Sequence, residues 1–174
     1  AERVESGEKP CVHTSAGLRI DCDDVVVATN SPISDRVAIH TKQAPYMSYV
    51  IGLRVPRGAV ASALFWDTLD AYHYVRLDRP DGVLLVVGGE DHKSGQAHDH
   101  DERSARHERW ARERFPAAGE VVHRWSGQVM ETVDYLAFIG RDPGGAHVWV
   151  ATGDSGMGMT HGTIAGMLLT ELIL

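Results

Sequence analysis

The last thirty residues constrain the fold most. His147–Thr152 is a short apolar run, Gly153 to Thr160 is a glycine-rich stretch, and His161–Leu174 is mostly apolar. The pattern predicts a strand, a turn and a buried helix. A strand that feeds directly into a helix calls for a helix layered on a sheet. Glycines allow close backbone approach to a ligand. The helix start points N–H groups and partial positive charge at whatever sits on the turn. An anionic or electron-accepting group is the natural guest. The spacing is not that of a dinucleotide loop. Gly156-x-Gly158 is followed by His161 where the third glycine belongs, and no acidic residue stands about 20 positions further on. A tight turn before a packed helix also satisfies the spacing.

The first thirty residues read as short strands. Cys11–Thr14 and Leu18–Asp21 flank a hairpin-sized turn at Ser15-Ala16-Gly17. Asp23–Asn30 contains a continuous apolar run, which predicts a strand buried on both faces, as in a parallel sheet. From Tyr46 onward, Met47–Val55, Ala63–Asp67, Tyr72–Leu77 and Val83–Gly88 predict four strands with short connections, the arrangement of antiparallel neighbours. Alternation puts Tyr72, Tyr74 and Arg76 on one face and His73, Val75 and Leu77 on the other. Ala97–Phe115 reads as a polar helix stopped by Pro116, with Asp99 or Asp101 as N-cap. Its charges alternate in sign, so His107 is expected to face solvent. Glu120–Trp125 resumes strand character.

Composition narrows the function classes. The 174 residues are 43% hydrophobic and 24% charged, an ordinary globular balance. A net charge of −7 argues against a nucleic-acid footprint. No apolar run reaches membrane-spanning length. Two cysteines make no disulfide framework, and a reduced, cytoplasmic protein is expected. Ten histidines invite a metal. The run His98-Asp99-His100-Asp101-Glu102 approximates a binuclear metal-hydrolase motif but lacks its closing Asp-His, and solvated residues at a helix start are the expected reading. Cys11-Val12-His13 matches the first half of a Rieske ligand set, yet Cys22 has no His to complete a second half. Both cysteines are read as ordinary strand residues, and no metal site is expected.

Several segments together resemble a known family. Val25–Asn30 is similar to a late strand of a flavin-binding domain. Arg124 to Arg141 resembles the return from a substrate domain, and Val148–Gly162 resembles a closing flavin-contact loop. The family is that of the D-amino acid oxidase-like FAD-dependent oxidoreductases, which includes glycine and sarcosine oxidases. Thr41–Tyr46, Trp66–Thr68, Tyr72–Arg76 and Gly88–Lys93 resemble a branch in which a Rieske domain can follow the flavin enzyme. The resemblance spans roughly residues 24–174.

The resemblance implies an α+β fold: an antiparallel or mixed sheet with a covering helix as substrate domain (residues 40–130), flanked by remnants of the FAD-binding domain (1–39 and 131–174). It implies oxidation of a C–H bond beside an amine, with FAD as acceptor and a small amine or amino acid as substrate. Gly153, Asp154, Ser155, Gly156, Met157, Gly158, Met159 and Thr160 would contact the flavin. Thr160 stands where oxygen-reactive relatives carry a Lys, which leaves open a dehydrogenase with another acceptor. His73, Arg76 and His161 are the candidates for substrate chemistry, with Lys42, Tyr46 and His92 nearby. Arg76 can clamp a carboxylate or form a surface ion pair; His73 can handle the amine or pack in the core. The chain opens without a Met and ends in mid-helix by pattern, so it is expected to be a piece of a longer protein, inactive and without FAD on its own. Val25–Thr29 and Val148–Thr152 are expected to lack their parallel neighbours and leave exposed strand edges that favour self-association. A binding or interaction domain without chemistry is the alternative, and a metal hydrolase using the His-Asp run is a further one.

Overall fold

The structure is a computed structural model and describes residues 1–33 and 37–174. Along the chain the elements are β1 (Arg3–Glu5), β2 (Cys11–His13), β3 (Arg19–Asp21), β4 (Val25–Val27), α1 (Val37–His40), β5 (Gln43–Arg54), β6 (Phe65–Trp66) and β7 (His73–Leu77). They continue as β8 (Leu84–Lys93), α2 (His100–Arg114), β9 (Val121–Thr132), β10 (Phe138–Arg141), β11 (Val148–Thr152) and α3 (Gly158–Ile173). The chain divides into two compact units, one of residues 1–45 with 129–174, the other of residues 46–128. No helix among the described residues is long and apolar enough to cross a membrane.

The first unit holds two small sheets. β1, β2 and β3 form an antiparallel meander. The second sheet has the order β10-β11-β4; β11 pairs antiparallel with β10 and parallel with β4. The two apolar runs predicted to lack neighbours therefore pair with each other, Val148 opposite Val25 and Val150 opposite Val27. β11 is central, and of the two apolar runs only β4 is an edge strand, with β10 at the opposite edge. One face of this sheet gives Val25, Val27, Val148 and Val150 to a core shared with Ile39. On the other face Trp149 packs with Ala165 and Leu169 of α3.

Two expectations fail here. β4 is not buried on both faces, because Val26 is 46% exposed. α3 is not a buried helix: Ala165 and Leu169 are its buried residues, while Met159, Met167, Leu172 and Leu174 are exposed. A three-stranded sheet is too narrow to cover more than one stripe of a sixteen-residue helix.

The second unit is built on a five-stranded sheet of order β6-β7-β8-β5-β9, with α2 over one face. β7 pairs antiparallel with β6 and β8, and β8 with β5. The fold is thus α+β with antiparallel and mixed sheets, as the resemblance implied. Ile51, Leu53, Val75, Leu85 and Val87 pack beneath Ala111 of α2. α2 is strongly charged, and its contact row is short. His107 belongs to that row and is fully buried, contrary to the solvent-facing position expected from the surrounding charges. Its Nε2–H donates to the carbonyl of Val87 at 2.9 Å, which satisfies one of the two ring nitrogens inside an apolar core, while Nδ1 has no hydrogen-bond partner among the described residues. Burial holds its pKa below the ordinary histidine value.

Candidate functional site

The glycine turn between β11 and α3 is fixed from below by its own unit. Gly153 has φ +72°, and a Cβ there would meet Thr132 Cγ2 at 2.4 Å and Gln43 Oε1 at 3.0 Å. A side chain at this position is excluded twice, by conformation and by space. Ser155 is buried and works inward: its amide donates to the Met130 carbonyl at 3.0 Å, and its hydroxyl accepts from the Thr132 amide at 3.3 Å. The Asp154 carbonyl accepts from the Met157 amide at 2.8 Å and from Nδ1–H of His161 at 3.0 Å. His161 thereby secures the turn.

α3 starts at Gly158, three residues before the predicted start. Its first intrahelical bond runs from the His161 amide to the Met157 carbonyl. The amides of Gly158, Met159 and Thr160 come before it. Met157 offers no side-chain cap, and the first turn holds no acid, so the partial positive charge of the helix start is not offset within that turn. A cavity of about 280 Å³ opens beside it, lined by Asn30, Thr152, Asp154, Gly158, His161 and Gly162 among others. The glycine backbone of the helix start and the adjoining hollow leave room for the edge of a flavin ring, with the Asp154 carboxylate standing beside Gly158, its Oδ2 2.9 Å from where a Cβ would sit. Gly158 to Thr160 would be the residues to hold that edge. Gly153 and Ser155 shape the turn from behind; the glycine pattern marks the first, and nothing local marks the second.

In the second unit, β7 separates the two substrate candidates. His73, Val75 and Leu77 face α2, and Tyr74 and Arg76 face away, the alternation predicted from sequence. His73 is 3% exposed and stacks on Trp110 with ring centroids 4.0 Å apart. The Asp67 carboxylate accepts from its backbone amide at 2.7 Å and its Nδ1–H at 3.0 Å. Burial raises the Asp67 pKa, and those two bonds with the Leu69 amide more than offset it, leaving the group below the usual carboxylate range. Nε2 of His73 points towards Glu90, 3.8 Å away. Trp110 on α2 and Glu90 on β8 are far from His73 in sequence, and Asp67 follows β6 six residues before it, so the alternation within β7 did not connect them to His73.

The opposite face is more open and aromatic. Trp66 and Tyr74 are cross-strand partners, and the Tyr72 ring lies 5.5 Å from Trp66 and 6.3 Å from Tyr74. Tyr74 lies flat over Gly88, where a Cβ would sit 2.0 Å from its ring. Its hydroxyl is 3.4 Å from Ser48 Oγ. Arg76 Nη1 donates to the carbonyls of Leu77 and Asp78 at 3.0 and 3.4 Å, and among the described residues no carboxylate pairs with it. His73 and Arg76 therefore cannot act together on one ligand from the same side of the sheet. The His-Asp run has other uses: Asp99 accepts from Arg103 at 2.9 Å, and His100 is bonded to the Tyr49 hydroxyl. His92 stacks on Tyr49, with its pKa lowered chiefly by burial.

Comparison with known proteins agrees with this architecture. The chain is 25% identical over 178 residues to YhfW of Bacillus subtilis (strain 168), which bears the name of a Rieske 2Fe-2S iron-sulfur protein; the match covers 98% of this chain and 34% of YhfW. Glycine oxidase from Geobacillus kaustophilus superposes with a TM-score of 0.75 at 19% identity, over 98% of this chain and 46% of that one. L-proline dehydrogenase from P. horikoshii gives 0.75 and 19%, over 98% and 49%. Iminodiacetate oxidase from Chelativorans sp. BNC1 gives 0.71 and 19%, over 95% and 46%. The chain thus spans about a third of its curated relative and just under half of each solved structure. At these identities the solved structures establish the fold alone. The family profile of FAD dependent oxidoreductases matches residues 1–172, and the chain belongs to that family.

Proposed function

We propose that these 174 residues are the substrate-domain and closing-contact part of an FAD-dependent enzyme that oxidises the C–H bond beside the nitrogen of a small amino acid or secondary amine. The observation that carries the reading is the uncapped start of α3 on a glycine turn, in a chain of this family. Bound FAD would supply the hydride acceptor; the protein supplies position and electrostatics. The amides of Gly158, Met159 and Thr160 would hold the pyrimidine edge, and the helix start would favour negative charge there. His161 holds the turn in place through the Asp154 carbonyl. Arg76 and the aromatic residues Trp66, Tyr72 and Tyr74 form the substrate-facing side, with Arg76 binding a carboxylate. His73 supports that side from beneath through Asp67. Glycine, L-proline and iminodiacetate, the compounds in the names of the neighbours, all join an amine nitrogen to a carboxylate.

The test uses the whole gene product. Gly158→Val is expected to purify without FAD, because a Cβ there would stand 2.9 Å from Asp154 Oδ2 and the larger side chain would push apart the turn and the helix start that are to receive the ring edge; normal FAD content would remove the assignment. Arg76→Leu is expected to raise KM for carboxylate substrates more than it lowers kcat. Unchanged kinetics would make Arg76 a surface residue. Parallel assays with oxygen and with a dye acceptor separate oxidase from dehydrogenase.

The 174 residues alone are expected to bind FAD weakly or not at all. One or two backbone hydrogen bonds at about 0.5–1.5 kcal/mol each fall short of an association cost of at least about 4 kcal/mol. Saturation at micromolar FAD would overturn that division of the chain.

A further inference from the structure

We propose that Glu5, Cys11 and His13 form a binding site for one divalent cation of the zinc class, in the β1–β2 hairpin of the first unit. The proposal stands apart from the flavin reading. It also departs from the expectation that Cys11 is an ordinary strand residue and that the chain has no metal site.

The register brings the three side chains together. Glu5 is directly opposite Cys11, and His13 lies two residues beyond Cys11, on the same face of the meander. Cys11 Sγ is 3.2 Å from Glu5 Oε2 and 3.4 Å from His13 Nε2, and Nε2 is 3.3 Å from the same Oε2. The three atoms form a nearly equilateral triangle with one ligand atom from each residue. Its centre is about 1.9 Å from every corner, and zinc bonds to S, N and O of about 2.0–2.3 Å put an ion just above that plane. Ligand pairs around a tetrahedral zinc stand about 3.4–3.6 Å apart, so the side chains need to move by only a few tenths of an ångström.

The chemistry of the donors matches. A thiolate, an imidazole and a carboxylate suit zinc, cobalt or a similar ion, and the sulfur disfavours magnesium and calcium. The thiolate and carboxylate balance the two positive charges, and binding releases the thiol proton to solvent. Cys11 is 1% exposed and closes the inner side, while Glu5 and His13 are half-buried and admit the ion. The fourth position is left to water or a ligand. Arg3 pairs with the other oxygen of Glu5 and orients the carboxylate. Cys22 stands outside the triangle, with its thiol against the Pro10 carbonyl at 3.4 Å.

Cobalt(II) titration of the reduced protein tests the site. One equivalent is expected to produce a thiolate-to-metal charge-transfer band and the visible bands of tetrahedral cobalt, and zinc is expected to displace it. Cys11→Ser should abolish the charge-transfer band, and Cys22→Ser should leave it intact. Glu5→Gln and His13→Gln should each weaken binding at least about tenfold. Absence of a stoichiometric band overturns the proposal, as does a band that survives in Cys11→Ser or disappears in Cys22→Ser. If Cys11→Ser does not fold, the other two variants decide, and wild-type affinity in both overturns it.

Discussion

The two long helices invert what their compositions suggest. α2 is mostly charged, yet His107 and Ala111 close the core of the second unit without exposure to solvent. α3 is mostly apolar, yet Met159 is 90% exposed and Met167 66%. The difference lies across from each helix. α2 lies over a five-stranded sheet that supplies Ile51, Leu53, Leu85 and Val87. The alanine allows close approach, and long Arg and Glu side chains pair along the outside, as Glu108 does with Arg112 and Arg124. α3 meets a three-stranded sheet and has no cover on its other side among the described residues. Burial follows the surface opposite the helix more than the helix's own hydropathy.

The comparison is broken or sharpened by substitutions on each side. The largest effect is expected from Leu85→Ala, at a fully buried position of the second unit. It should cost about 2–5 kcal/mol in urea unfolding; a cost below 1 would mean that this core is not the closed one. Gly153→Ala, in the turn before α3, should cost about 2–4 kcal/mol, from positive φ and the contact with Thr132. A tolerated alanine there would show that the turn is not fixed from below.

His107→Leu tests the polar contact inside the α2 core. Loss of the bond to Val87 should cost about 1–3 kcal/mol at neutral pH. The native imidazole resists protonation because of burial, whereas the unfolded one titrates near pH 6.5. The unfolded state therefore takes up a proton that the folded state lacks, and stability falls as pH drops below about 6.5. That part of the slope should vanish in His107→Leu; an unchanged slope assigns it to other groups. The smallest effect is expected from Leu172→Ser on α3, within about 0.5 kcal/mol. Its readout is solution mass of the 174 residues, where less self-association is expected. A large loss of stability would show that the Leu172 side of α3 is covered after all.

Much of the local structure around the candidate site was legible beforehand, for specific reasons. Period-two alternation in Tyr72–Leu77 assigned the faces of β7, because strand geometry leaves no other choice. Glycine density after Thr152 marked the turn, because a backbone at φ +72° with Thr132 beneath it excludes a side chain. The helix start was misplaced by three residues, because Gly158 and Thr160 resemble turn residues and only the hydrogen bond from His161 to Met157 decides the matter. His107 was misread because its neighbours in sequence are charged, while its neighbours in space are not.

The sequence by itself determined the class of most segments, which depends on local periodicity and residue type, and it carried the stretches by which the chain resembles its family. Tertiary structure decided partnership. It paired β4 with β11, set Asp67 and Trp110 around His73, and gathered Glu5, Cys11 and His13 on one face. These outcomes depend on strand register and on which surface lies opposite. Those are long-range choices, and a shift of one residue in register would move the entire set of side chains to the other face.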